Sequence, residues 1–242
     1  MVIRLNINGN YINYVEYGKG KPIVLLHGWG QNIEMMEPIG KKIKGRIIII
    51  DLPGHGKSSE PKTPLTIEDY ADSIHTLLNK LKVEKPIIIG HSFGGRIGLF
   101  YASKYEVEKL VCLASPYKKQ IAKQTLKTKI LKTAKKIPLL NNLENFAKKH
   151  IGSTDYKNAS EMMRKILVLS VNFDMTEEVK KIKCPTLLIW GTNDAQVSIN
   201  DAYELEKLIK DSGVVVYEGC THYAYLERLN QTIKVLESFI GE

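Results

Sequence analysis

The stretch Lys85-Pro-Ile-Ile-Ile-Gly-His-Ser-Phe-Gly-Gly-Arg96 constrains the fold more than any other part of the chain. Ile87 to Ile89 are apolar and β-branched without alternation, the pattern of a strand covered on both faces, whereas Arg96 to Lys104 has helix-compatible spacing with Ile97, Phe100 and Tyr101 on one side. Ser92 is left in the turn between them. So sharp a turn demands small residues two positions to either side, and Gly90 and Gly94 meet that demand, while Gly95 lets the helix lie close to the sheet. The serine hydroxyl is then held out from the sheet edge, beside the unpaired N–H groups of a helix start.

A second apolar strand, Pro22-Ile-Val-Leu-Leu26, runs into the glycine-punctuated loop His27-Gly-Trp-Gly30, where the backbone N–H of Trp29 would pair with that of Phe93 to hold a developing oxyanion. After the strand Thr186–Trp190 comes Gly191-Thr-Asn-Asp194, and after the strand Val214–Tyr217 comes Glu218-Gly-Cys-Thr-His222. Each places an acid or base just beyond the carboxyl end of a strand read as buried, where open α/β sheets keep their sites. Ser92, Asp194 and His222 thus form a candidate triad in an order unlike those of the chymotrypsin and subtilisin types.

On the residues His27-Gly-Trp-Gly30, Asp51-Leu-Pro-Gly-His-Gly-Lys-Ser58, Gly90-His-Ser-Phe-Gly-Gly95, Gly191-Thr-Asn-Asp194 and Thr221-His222, the chain resembles the α/β-hydrolase superfamily over nearly its whole length. Within it the chain is similar to small lidded carboxylesterases of the pimeloyl-ester kind. The segment after Asp194, Ala195-Gln-Val-Ser198, lacks the proline often found there.

The remaining apolar runs fit that resemblance. Strands near Val2–Ile7, Tyr11–Tyr17, Arg46–Ile50 and Leu110–Ala114 join those above, and after a first hairpin they alternate with helices, the rhythm of a mostly parallel twisted sheet covered on both faces. The clearest helix is Ile67–Leu81, capped by Thr66, with Tyr70, Ile74, Leu77, Leu78 and Leu81 on one face, and Tyr225–Ile240 is read as the last helix. Between Pro116 and Asp174 the rhythm stops, and no buried strand is expected. The predicted organisation is therefore a hydrolase-like core from two pieces, 1–115 and 175–242, with a helical lid inserted at 116–174.

The first half of that insertion is unusually basic. Tyr117 to His150 holds ten lysines against a single acid, Glu144, a net charge equal to the +9 of the whole chain. Leu126, Ile130, Ala134 and Ile137 share one helical face and Lys123, Lys127, Lys129, Lys132, Lys135 and Lys136 occupy the others. Two readings stand: a solvated lid surface, or a patch that attracts an anionic lipid or anionic substrate.

Other features exclude alternatives. No apolar run approaches the roughly 18 residues needed to cross a bilayer, and the N-terminus alternates as a hairpin without the basic head and apolar middle of a signal peptide, so the expected location is cytoplasmic. Cys112, Cys184 and Cys220 have neither an even count nor a Cys-x-x-Cys spacing, so neither a disulfide framework nor a zinc site is expected, and the histidines lack metal-ligand spacing. Gly56-Lys57-Ser58 ends like a phosphate loop, but the glycine required five positions earlier is Asp51. Asp51 precedes a proline-glycine turn and is read as a turn-stabilising carboxylate rather than a triad acid. His27 and His91 are read as shaping the site. No motif implies a cofactor, a nucleic acid or an oligomeric state.

The predicted chemistry is acyl transfer to water: His222 takes the Ser92 proton, Asp194 orients the imidazole, and Ser92 attacks a small-molecule ester of short to medium acyl chain. Trp29, Leu139, Leu143 and Phe146 are candidate substrate-binding residues, while Met35, Met36, Leu140, Met162, Met163 and Phe173 could line an acyl pocket or form the lid's own core. The alternatives are a non-catalytic small-molecule-binding protein, or a lipase, thioesterase or other reaction on the same three residues.

Overall fold

The computed structural model of the protein describes residues 2–7, 9–119 and 159–241. Eight strands form one sheet in the order β1-β2-β4-β3-β5-β6-β7-β8. They are β1 (Val2–Ile7), β2 (Asn10–Tyr17), β3 (Pro22–Leu26), β4 (Arg46–Ile50), β5 (Ile87–His91), β6 (Lys109–Leu113), β7 (Thr186–Gly191) and β8 (Ser212–Tyr217). The β1–β2 and β2–β4 pairings are antiparallel and the remaining ones are parallel.

The central strands are apolar at consecutive positions because both faces are covered. Val24, Leu26, Ile48, Ile50, Ile88, Leu110, Leu188 and Trp190 enter one core; Ile23, Leu25, Ile47, Ile49, Ile87, Ile89, Val111, Leu113, Leu187 and Ile189 enter the other. The first is closed by α2 (Ile67–Lys80) and α3 (Phe93–Lys104), the second by α1 (Glu37–Gly40), α7 (Ala224–Glu227) and α8 (Leu229–Ile240). A short 3₁₀ turn, Ile33–Met35, precedes α1, and α4 (Glu161–Asn172), α5 (Thr176–Val179) and α6 (Ile199–Leu208) complete the described helices. α2 opens on a full capping box: Thr66 Oγ1 accepts from Asp69 N and the Asp69 carboxylate accepts from Thr66 N.

Two expectations are corrected. The strand read as buried at Val214–Tyr217 is the sheet edge, with Val214 and Val215 only partly covered and Val216 36% exposed. A run of valines fits a half-covered edge as readily as a buried strand, because periodicity does not count neighbours. The helix expected over Tyr225–Ile240 is broken at Arg228 (φ −117°, ψ 39°) into α7 and α8, and Glu227 of α7 is drawn to the backbone N–H and the hydroxyl of Thr221.

Within the range read as an insertion, the described residues include α4 and no strand. The lysine face from Lys123 to Lys136 and the candidate residues Leu139, Leu143 and Phe146 lie outside the described residues. The two ends of the range are fastened together. Arg96, buried on α3, donates from Nη1 to Pro116 O at 3.1 Å and from Nη2 to Phe173 O, and Met175 N donates to Tyr117 O at 3.0 Å. Burial lowers Arg96 to about 10, against the opposing pull of Asp174 and Asp201.

The turn after β5 leaves no room for a Cβ at its glycines. A Cβ on Gly90 would lie 2.5 Å from Gly94 O and from Gly95 N and Cα, and one on Gly94 would lie 2.4 Å from Leu26 O. Gly213 in β8 has nothing within 4 Å of such a position. Gly90→Ala should therefore cost about 3 kcal/mol, the upper end of overpacking penalties. Gly213→Ala should be neutral or stabilise by up to about 1 kcal/mol, through the unfolded chain. Urea denaturation of both variants checks the contrast, and equal effects would contradict it.

Candidate functional site

Ser92 sits at the carboxyl end of β5 with φ 50° and ψ −109°, a conformation that L residues rarely adopt. Its backbone is held from both sides: Ser92 N donates to Leu113 O at 2.8 Å and Ser92 O accepts from Arg96 N at 2.9 Å. Phe93 begins α3, so its N–H belongs to the unpaired first turn of a helix. Among the described residues no group accepts from the N–H of Trp29 or of Phe93. The two rings meet edge to face at 5.1 Å, which brings the loop after β3 against the turn after β5.

His222 and Asp194 meet across the ends of β7 and β8. His222 Nδ1–H donates to Asp194 Oδ2 at 2.8 Å, and the two side chains are 5% and 0% exposed. Asp194 Oδ1 accepts from Gln196 N at 2.8 Å and Val197 N at 2.9 Å. This turn forms without the proline absent from Ala195–Ser198, because the carboxylate itself ties the loop. With Nδ1 committed, Nε2 is the ring nitrogen left to exchange a proton. Ser92 Oγ makes no hydrogen bond among the described residues.

Asp51 is bound elsewhere. Its Oδ2 accepts from Asn13 Nδ2 at 2.7 Å and Lys57 N at 2.8 Å, and its Oδ1 from Ile33 N at 2.8 Å, so it ties β2 to the Ile33 turn and the Lys57 loop and makes no hydrogen bond to His222. His27 Nδ1–H donates to Gly28 O at 2.7 Å while Nε2 accepts from Leu52 N at 3.0 Å, which fixes the tautomer. His55 donates from Nδ1 to Pro53 O at 3.1 Å and packs against Trp29, with ring centroids 4.9 Å apart.

The sequence-predicted pocket residues divide. Trp29 packs against Leu167 of α4, and Met163 of the same helix is buried in the first core. Phe173 packs on Phe100 at 5.9 Å. Met36 is fully buried in the opposite core, beneath the sheet, and cannot line a pocket above the strand ends. Residues that the motifs did not flag also enter the site, since Gln31 bridges Gly28 N at 2.9 Å and Tyr223 Oη at 3.2 Å; His91, expected to shape the site, contacts both Gln31 and the His222 carbonyl. Nothing in the spacing of Gln31 or Tyr223 announces such a contact, since they are far apart in the chain. Among the described residues no cluster of His, Cys, Asp or Glu could hold a metal ion, and no helix is long and apolar enough to cross a membrane.

A family model described as the alpha/beta hydrolase fold matches residues 21–127. The chain is 26% identical to the AB hydrolase superfamily protein YisY of Bacillus subtilis, over 96% of this chain and 98% of that protein. It is 27% identical to Lipase 1 of Psychrobacter immobilis, over 96% of this chain and 81% of the lipase. Among solved structures, an esterase from Exiguobacterium antarcticum superimposes with a TM-score of 0.78 at 24% identity, over 99% of both chains. With the sheet order above, these findings give the chain the α/β-hydrolase fold.

Burial makes His27 and His55 costly to protonate. It pushes His27 down to about 3, with His55 adding to the effect, and His55 itself down to about 4. In the unfolded chain both would titrate near 6.5, so the stability they contribute is complete above about pH 6.5 and is lost as pH falls towards 4. Each histidine costs about 1.4 kcal/mol per pH unit in that window. Urea unfolding at pH 7 and pH 5 should show His55→Phe losing about 2 kcal/mol less than the wild type over that step. Parallel losses would refute the assignment.

Proposed function

We propose that this α/β-hydrolase-fold protein is a serine hydrolase that cleaves carboxylic esters of short to medium acyl chain through an acyl-enzyme. The observation that carries the reading is the buried Asp194–His222 pair, opposite a serine in a strained turn at the end of β5. Asp194 holds the imidazole in the tautomer whose Nε2 can take the Ser92 proton, and stabilises the imidazolium that results. Ser92 Oγ then attacks the ester carbonyl, and the oxyanion is met by the N–H groups of Trp29 and Phe93, which have no other acceptor among the described residues. His222 returns the proton to the leaving alcohol, and water, activated by the same nitrogen, releases the acid. In unliganded enzymes the contact between nucleophile and base is often long and tightens only with substrate bound, which accommodates a Ser92 hydroxyl without a partner.

Side-chain changes at Trp29 or Phe93 would reshape the pocket without deleting a donor, because both donors are backbone groups. The candidate lid at 116–174 and the residues Leu139, Leu143 and Phe146 would set acyl length. A second reading, a hydrolase of lipid esters, is favoured by the lysine-rich stretch and by the similarity to a lipase. Turnover of a soluble short-chain p-nitrophenyl ester, against a micellar long-chain ester over a salt series, separates the two. Interfacial activation that fades with salt would favour lipid.

A fluorophosphonate probe should label the wild type at Ser92 and leave Ser92→Ala unlabelled. Ser92→Ala should lower kcat about a million-fold, and Asp194→Asn about ten-thousand-fold, on the ester that the wild type turns over. A folded wild type that neither labels nor hydrolyses such esters would leave a non-catalytic binding protein as the better description.

A further inference from the structure

His91 precedes Ser92 in the chain and is 0% exposed. Its ring lies 4.8 Å from the His222 ring, 5.3 Å from Tyr223 and 4.8 Å from Tyr225. His91 Nε2 lies 3.1 Å from the backbone carbonyl of His222, and Nδ1 lies 3.3 Å from Gln31 Oε1. A neutral imidazole carries one N–H, so it can donate to only one of these two oxygens. Gln31 Oε1 already accepts from Gly28 N at 2.9 Å, whereas no backbone N–H among the described residues donates to the His222 carbonyl. The proton therefore belongs on Nε2. His91 Nδ1 then faces Gln31 Oε1 as one acceptor against another, in contact without a hydrogen bond, and Gln31 makes a separate link through its own Nε2–H to Tyr223 Oη at 3.2 Å.

Resting on the triad reading above, we propose that His91 is a positioning residue: its Nε2–H ties the His222 main chain to the turn carrying Ser92, and Gln31, packed against it, ties the Trp29 loop to Tyr223, the two links together making a strut. Three segments far apart in sequence are joined by three hydrogen bonds, two of them to backbone groups of Gly28 and His222. The strut also explains Gly28, since a Cβ there would lie 2.9 Å from both Gln31 Oε1 and His91 Nδ1. A ring that merely filled space would need no donor facing the main-chain carbonyl of the residue whose side chain moves the proton. Burial and the nearby His222 hold His91 neutral, with His27 adding to the effect, so it places no positive charge against the imidazolium that forms on His222. The other groups packed on it, Gln31, Tyr223 and Tyr225, are uncharged at neutral pH.

The test compares His91→Leu, which removes the donor, with His91→Gln, whose amide can restore it, and with Gln31→Leu, which removes the second half of the strut. Steady-state kinetics on a soluble p-nitrophenyl ester, fluorophosphonate labelling at Ser92 and thermal melting are measured for each. A misplacement of about 1 Å costs on the order of a hundredfold, so His91→Leu should lower kcat and the labelling rate by about 10- to 100-fold with KM little changed. His91→Gln should recover most of the loss, and Gln31→Leu should fall between them. The strut is overturned if folded His91→Leu or Gln31→Leu keeps the wild-type kcat, or if His91→Gln is as slow as His91→Leu while equally stable. Should His91→Leu not fold, the other two variants decide. Failure of the wild type to label at Ser92 would instead sink the triad reading.

Discussion

Three backbone segments approach one another around Ser92 more closely than any Cβ would permit, and most of the molecule is arranged to hold them there. The serine carries a positive φ that costs a non-glycine residue about 1–3 kcal/mol. Such strain persists only where the surroundings over-determine it. Here β6 accepts from the serine N–H, α3 returns an N–H to its carbonyl, and the carbonyls of Leu26 and His27 crowd Gly94 from the neighbouring loop. The same crowding sets α3 against the sheet and brings the Trp29 loop beside the start of that helix.

The polar groups around this turn follow one rule: a charge is kept only where donors surround it, and a ring without a counter-charge stays neutral. Asp51 and Asp194 are buried carboxylates, and each accepts three hydrogen bonds, two of them from backbone N–H groups. His27, His55 and His91 sit among apolar and aromatic neighbours, and burial keeps them unprotonated. Among the described residues, only the imidazole of His222 is hydrogen-bonded to a carboxylate.

Much of this was legible in the sequence, and the reasons differ by element. The parallel strands could be read because continuous β-branched runs have few other uses, and the turn at Ser92 because glycines at fixed offsets answer a steric demand. The pairing of Asp194 with His222 followed from placing each after a strand, with no contact visible in the text. The edge position of β8 was hidden because Val214, Val215 and Val216 read alike whether one face or both are covered. Met36 resembled a pocket residue by type alone, and its burial beneath the sheet depends on which way the chain turns after Ile33. The strut of Gln31 and His91 was hidden for a similar reason, since its partners come from three loops and share no local pattern.

Arg96 has a consequence beyond its own hydrogen bonds. One guanidinium, rooted a single helical turn after Ser92, grips the chain both where it leaves the sheet at Pro116 and where it returns at Phe173. The points of departure and re-entry are thereby defined by the scaffold, independently of what the intervening residues are. A change of length, charge or sequence between those two anchors therefore need not disturb the turn at Ser92.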